Sequence, residues 1–160
     1  MDTPITRNVD HLISRYGESH QNPVNKLIHW FCVPAIVYSV LGILWIIPTP
    51  SVLQEVSPLL NWATLFVIAS MFYYLFLSFS LSVGMLFVSG GLIYLLSITE
   101  GLSMPLWQIA ILVFVVAWIV QFIGHYIEGK KPSFVEDVQF LMIGPLWLLS
   151  ALYRRLKIPY

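Results

Sequence analysis

Residues 56–99 read VSPLLNWATLFVIASMFYYLFLSFSLSVGMLFVSGGLIYLLSIT, 44 consecutive positions without an Asp, Glu, Lys or Arg. A single straight helix of that length would reach roughly 66 Å at 1.5 Å per residue. That is about twice the ~30 Å thickness of a bilayer's hydrocarbon core. The segment must therefore fold back on itself. Its weakest point is Ser78-Phe79-Ser80-Leu81-Ser82-Val83-Gly84, where serines and a glycine interrupt the bulky side chains. The reading is two spans, 59–78 and 83–98, joined by a tight turn. Gly90-Gly91 in the second offers a small-residue surface for close helix packing.

The same logic extends in both directions. Residues 27–54 are also free of formal charge, which places a first span at 27–47, ended by Pro48-Thr49-Pro50. Asn22-Pro23 supplies a helix start, an N-cap followed by a residue whose fixed φ suits the first turn. A fourth span is expected at 106–127. A last apolar segment, 138–153, is short and interrupted by Gly144-Pro145. At the N-terminus, Thr3 and Pro4 open a short amphipathic helix over 4–16, with Ile5, Val9, Leu12, Ile13 and Tyr16 on one stripe and His11 opposite it. That helix either lies along the membrane surface or packs on the protein's polar face. Composition agrees: 58% hydrophobic and 10% charged, against about 45–50% and 25% in soluble chains. The fold class is an all-α membrane protein, one integral membrane domain over residues 1–160. The first 26 residues carry six charges and no apolar core, so the first span is read as its own insertion signal. A net charge of zero gives no field for nucleic acid. The single cysteine, Cys32, rules out an intramolecular disulfide and a thiolate cluster.

Lys and Arg mark the cytoplasmic ends of spans. Arg7, Arg15 and Lys26 precede span one, the loops at 48–58 and 99–105 have neither residue, and Lys130 and Lys131 follow span four. Four spans with the N-terminus inside satisfy all of these. Segment 138–153 then has both flanks inside, with Arg154, Arg155 and Lys157 after it, and reads as a re-entrant hairpin or an interfacial helix rather than a fifth span. His20 and His29 at the start of span one and His125 at the end of span four thus reach one depth on one face.

Neutral imidazole is a good metal ligand near pH 7. Three imidazoles, or two with a carboxylate, and open positions beside them suit Fe(II). The candidate metal ligands are His20, His29, His125 and Glu128; Glu128 shares a helix face with His125 at a spacing of three. Asn25 and Gln121 are placed to orient the imidazoles, and Lys26 and Lys130 to meet an anionic head group. The plain alternative is that interfacial histidines are only polar groups placed where water is available. Ionisable residues within or next to apolar spans more often mark function. His11 on the polar face reads as solvated, and Cys32 as a small core residue.

Two blocks then carry a resemblance. Tyr16-x-x-Ser19-His20-x-Asn22-Pro23-x-Asn25-Lys26-x-x-His29 followed by Cys32-Val33-Pro34, and Gln121-Phe122-Ile123-Gly124-His125 leading through Glu128-Gly129 to Pro132, resemble the paired signatures of a family of small polytopic membrane proteins. Its characterised members are Fe(II)-dependent 2-hydroxy fatty acid dioxygenases of the endoplasmic reticulum, acting in breakdown of the sphingolipid base phytosphingosine. The likeness covers essentially the whole chain. Ser133 stands where a small alanine is expected, and the short loops look like the bacterial branch. The resemblance implies Fe(II) held by His20, His29 and His125 as the catalytic residues. It implies O2 and a 2-hydroxy fatty acid as partners, α-oxidation to the acid one carbon shorter, and no separate organic cofactor. The site would face the cytoplasm, in an inner membrane if bacterial or the endoplasmic reticulum if eukaryotic. Two rival functions stay open on the residues alone: a haem-binding electron carrier with His29 and His125 as axial ligands, and a non-catalytic lipid-binding membrane protein. Oligomeric state is not readable from the sequence.

Overall fold

The computed structural model describes residues 8–57, 59–133 and 139–160. Among them all regular structure is helical: α1 (Asn8–Gly17), α2 (Pro23–Ile46), α3 (Ser51–Val56), α4 (Trp62–Leu77), α5 (Phe79–Glu100), α6 (Leu106–Glu128) and α7 (Phe140–Leu156). Three of these, α2, α5 and α6, are long and apolar enough to cross a membrane. The expected second span is the 16-residue helix α4. At 1.5 Å per residue it reaches about 24 Å, short of a ~30 Å core. The outer faces carry exposed side chains such as Phe76, Phe87 and Phe122, a surface suited to lipid rather than to water.

The fold-back falls at Ser78 alone. Its backbone is extended, its N–H closes α4 on the Tyr74 carbonyl at 2.9 Å, and its hydroxyl accepts from the Leu81 N–H to open α5. Residues 79–82, read from the sequence as the turn between the two spans, are already helical. One capping serine is enough because its side chain replaces the hydrogen bond that the break removes. Gly90 and Gly91 correct a second expectation. A Cβ at either would meet nothing within 4 Å, so they do not seat a neighbouring helix. The close approach lies elsewhere, between α2 and α6, where a Cβ on Gly124 would collide with the Asn25 side-chain oxygen and press on Ile28.

Two sets of contacts define two ends of the bundle. At one, the Trp62 indole donates to the Pro48 carbonyl and the Trp45 indole to Glu100. At the other lie all three histidines of the motifs, together with α1 and α7. The stripe Val9, Leu12, Ile13 and Tyr16 of α1 is buried, while His11 opposite is exposed. The stripe joins Phe140, Ile143, Leu146 and Trp147 of α7 in one apolar cluster, so α1 packs on the protein. Thr3, Pro4 and Ile5 lie outside the described residues. α7 is one continuous helix through Gly144-Pro145, not a hairpin. Both its ends stay at the histidine end. The Arg15 guanidinium sits over the Phe140 ring, and the Tyr153 hydroxyl donates to the Ser80 carbonyl beside the α4–α5 break. Cys32 is buried and unbonded to another sulfur.

Candidate metal centre

Each histidine reaches the centre from a different element. Asn22 caps α2 by accepting from the Val24 N–H at 2.9 Å, and Pro23 begins the helix. His29 therefore projects from the second turn of a well-started helix. His20 sits in the short link between α1 and α2. His125 lies in the last turn of α6, which ends where Gly129 takes a left-handed φ of 71° that residues with a Cβ adopt only with strain. Among the described residues, α2 and α6 form the most extensive helix pairing. That pairing sets His29 opposite His125, and the link lowers His20 onto both.

The three rings meet nearly edge to face. Centroids are 4.2 Å apart for His20–His29, 4.9 Å for His20–His125 and 5.0 Å for His29–His125, with interplanar angles of 79°, 73° and 89°. One ligand atom from each lies within 4.8 Å of the others. All three side chains are buried.

Tautomers follow from the acceptors around the rings. His20 Nδ1 is 2.6 Å from the Tyr16 carbonyl oxygen, and His29 Nδ1 is 2.9 Å from that of Asn25. A carbonyl can only accept, so both Nδ1 atoms carry the proton. Both Nε2 atoms then carry a bare lone pair, and they face one another at 2.9 Å. Two lone pairs cannot hydrogen-bond to each other. His125 Nδ1 is likewise buried without a hydrogen-bond partner. Converging, unshared lone pairs are what a cation resolves. Metal–imidazole bonds of about 2.0–2.1 Å place adjacent ligand nitrogens about 3 Å apart. The donor set therefore fits a metal ion that accepts imidazole, and iron and zinc are both of that kind. Burial, and then the neighbouring His29, push the His20 imidazole down to about 3, so it is neutral at pH 7.

The second layer is partly as expected. Asn25 is fully buried, and its backbone carbonyl orients His29. Its side-chain amide donates to the Ser19 carbonyl at 3.3 Å and to Glu128 at 3.1 Å. Gln121 is buried beside His125, with its side-chain oxygen unpartnered. Lys130 donates to the Glu18 carbonyl at 2.7 Å, on the far side of the His20 link. Lys26 is half-buried on the first turn of α2.

Glu128 stands outside the group formed by the three histidines. One oxygen accepts from the Gln21 N–H at 2.8 Å, and the other from the Asn22 N–H at 2.8 Å and the Asn25 amide. The carboxylate thus satisfies backbone donors at the start of α2, where negative charge is favoured, and ties the end of α6 to the link that carries His20. Residue spacing put it on the His125 face correctly, but could not reveal that these donors claim both its oxygens.

Two contributors were missed. Tyr16 stacks on His20 with centroids 4.2 Å apart and planes 10° from parallel, and Trp147 of α7 stands 5.3 Å from the same ring. Burial holds the Tyr16 phenol well above the usual tyrosine range. Tyr16 was visible in the first motif; Trp147 carried no local signal. Ser133, where alanine was expected, shares a 2.5 Å hydrogen bond with Ser19 and so braces the same link.

A cavity of about 40 Å³ adjoins His125 and Gln121, bounded also by Tyr16, Phe140 and Trp118. That volume admits O2 or a water molecule. It has no room for a porphyrin, and His20 packs against both His29 and His125, so the axial-haem reading of those two residues does not fit. A vestibule of about 320 Å³ lined by Arg15, Lys130 and Lys131, by the carboxylate of Glu18, and by Ser19 and Ser133 borders the small cavity at Ser133 and Phe140.

A family model described as 2-hydroxy-palmitic acid dioxygenase Mpo1-like matches residues 6–156. The chain is 32% identical over 137 residues to the 2-hydroxy-palmitic acid dioxygenase MPO1 of Saccharomyces cerevisiae, covering 84% of this chain and 73% of the yeast protein. No solved structure matches. The family match runs through both histidine motifs and every helix from α1 to α7. The chain belongs to the Mpo1-like family.

Proposed function

We propose that this protein is an Fe(II)-dependent dioxygenase that shortens 2-hydroxy fatty acids by one carbon, working at the cytoplasmic face of a membrane. The observation that carries the reading is the set of three buried imidazoles beside a small cavity, one ligand atom of each within 4.8 Å of the others and the His20 and His29 Nε2 atoms face to face. The yeast relative's name supplies the substrate class. His20, His29 and His125 would hold the iron, which when bound would activate O2 for oxidation at the hydroxyl-bearing carbon. The overall change, 2-hydroxy acid plus O2 to the shorter acid plus CO2 and water, balances in atoms and electrons and needs no outside reductant.

The protein's own residues handle approach, order and dryness. Arg15, Lys130 and Lys131, set against the single carboxylate of Glu18, give the vestibule a net positive charge that would draw in a carboxylate. Tyr16 and Trp147 pack on His20 and keep its ring from turning. Gln121 presents a buried amide beside His125, on the wall of the small cavity that the acid's polar end would approach. Phe140 and Trp118 line the same cavity and exclude bulk water, which strengthens every polar contact inside it.

The direct test is anaerobic loading of the detergent-purified protein with Fe(II), followed by O2 and 2-hydroxypalmitate. Pentadecanoate should appear with one O2 consumed per acid. Fully iron-loaded protein that makes no odd-chain acid would remove this substrate from consideration.

A further inference from the structure

Beyond the small cavity the protein contains a second space, of about 500 Å³, walled by α2, α4, α5, α6 and α7. Its volume falls in the ~300–1,000 Å³ range of small-molecule sites. It borders the small cavity through Ile36, Val37, Trp118 and Leu141, which line both. The three spaces are therefore neighbours in series: the net-positive vestibule, the small cavity at His125, reached past Ser133 and Phe140, and the apolar interior. Cationic at one end and apolar at the other, the series matches a molecule with an anionic head and a long hydrocarbon tail.

Two helix faces lead inward from the metal ligands. On α2, Val33, Val37 and Leu41 follow His29 at steps of four; on α6, Gln121, Trp118 and Phe114 precede His125 at steps of four, three and four. These spacings keep each set on one face. From His29 to Leu41 is 12 residues, about 18 Å along the axis. An extended alkyl chain advances about 1.25 Å per carbon, given a ~1.5 Å bond and a near-tetrahedral angle. The path therefore holds about fourteen carbon–carbon steps, the tail of a sixteen-carbon acid beyond its hydroxyl-bearing carbon. The polar groups in the wall are Ser70, Tyr74, Ser89 and the Trp118 indole; Ser70 donates to the Phe66 carbonyl at 2.8 Å and Tyr74 to that of Met142 at 2.9 Å. A hydrocarbon would strand neither of these two donors.

We propose that this apolar cavity receives the alkyl tail of the 2-hydroxy acid, and that Val37 and Val40 on α2 set the chain length accepted. The proposal rests on the substrate class given above. Val37 lies about 12 Å along α2 from His29, and Val40 about 16 Å. Val40→Phe should shift the preferred acid one to two carbons shorter, and Val37→Phe about five. Each methylene excluded costs about fourfold in affinity.

Turnover of a series of 2-hydroxy acids, about ten to twenty carbons long, by the iron-loaded full chain reads this out. A second readout needs neither iron nor turnover. Trp118 lies about 10 Å along α6 from His125, so in metal-free protein a bromine near carbon ten of the acid should quench its fluorescence more than one near either end. The Trp118→Phe variant supplies the background from the other tryptophans. Graded shortening, with quenching that peaks at mid-chain, supports the assignment. Unchanged length preference in both folded phenylalanine variants overturns it. So does quenching that is flat along the chain, or that excess phospholipid abolishes, which would make the cavity a general lipid site. If wild-type protein turns over no 2-hydroxy acid and yet position-dependent quenching persists, the tail cavity stands and the proposed reaction falls.

Discussion

Removing the Glu128 carboxylate separates a ligand from a positioning group. In Glu128→Ala the backbone N–H groups of Gln21 and Asn22 and the amide of Asn25 lose an acceptor. Hydrogen bonds to charged groups contribute about 1.5–3 kcal/mol each. Gln21 is exposed and its N–H regains water, so its share is small. Asn25 is fully buried, and a stranded donor there costs about 1–3 kcal/mol, softened by its second contact with the Ser19 carbonyl. A total of about 2–4 kcal/mol follows, concentrated in the link that carries His20. Metal binding would have to re-impose order on that link, so affinity should fall about 10–100-fold, as it does when groups supporting a ligand are removed. The assay is anaerobic titration with Co(II), whose visible spectrum reports its ligands, alongside thermal unfolding of the metal-free protein. The expected result is weaker binding and lower stability, with the saturated spectrum unchanged. Wild-type affinity and stability would refute the positioning role. An altered spectrum at saturation would make Glu128 a ligand after all.

Four further outcomes follow. Gly124→Ala places a methyl group against the Asn25 side chain and Ile28; overpacking of about 1–3 kcal/mol should part α2 from α6 and weaken Co(II) binding as well as lower the unfolding temperature. Tyr16→Ala leaves the backbone acceptor of His20 but removes the ring stacked on it, so metal affinity should drop in titration while the one-to-one stoichiometry holds. His20 is held near 3 in the fold against about 6.5 in an unfolded chain, so below pH 6.5 the unfolded state binds the extra proton. Metal-free protein should therefore lose up to about 1.4 kcal/mol per pH unit as pH falls from 6.5 towards 3, and His20→Asn should remove that contribution in denaturation measured at pH 7 and pH 5. Stripping metal with a chelator should lower the unfolding temperature, and either Fe(II) or Zn(II) should restore it, while turnover returns with Fe(II) alone.

The sequence disclosed what local rules control. Asn22-Pro23 announced the start of α2, and the apolar stripe of α1 was read with His11 correctly placed outside it. The distribution of Lys and Arg put His20, His29 and His125 at one level, and the rings do meet. What stayed hidden depends on partners distant in the chain. Ser78 has the same composition-level signal as Ser80 and Ser82, yet Ser78 is the one that caps both helices at the break. Gly90-Gly91 looked like a packing surface, whereas Gly124, within the second motif, is the glycine pressed against another helix. Glu128 shares a face with His125 by spacing, but the donors that claim it come from residues 21, 22 and 25. The apolar cavity is assembled from five helices, and hydrophobic residues at helical spacing do not distinguish a filled interior from an open one.

In the proposed reaction, three converging imidazoles serve dioxygen chemistry on a 2-hydroxy acid. A single turnover of the Fe(II)-loaded protein with 2-hydroxypalmitate under ¹⁸O₂ tests it most directly. Pentadecanoate should carry one ¹⁸O atom in its carboxylate, and His29→Ala should yield no such product. Pentadecanoate that takes its new oxygen from water, or labelled product formed equally well by His29→Ala, would contradict that reaction.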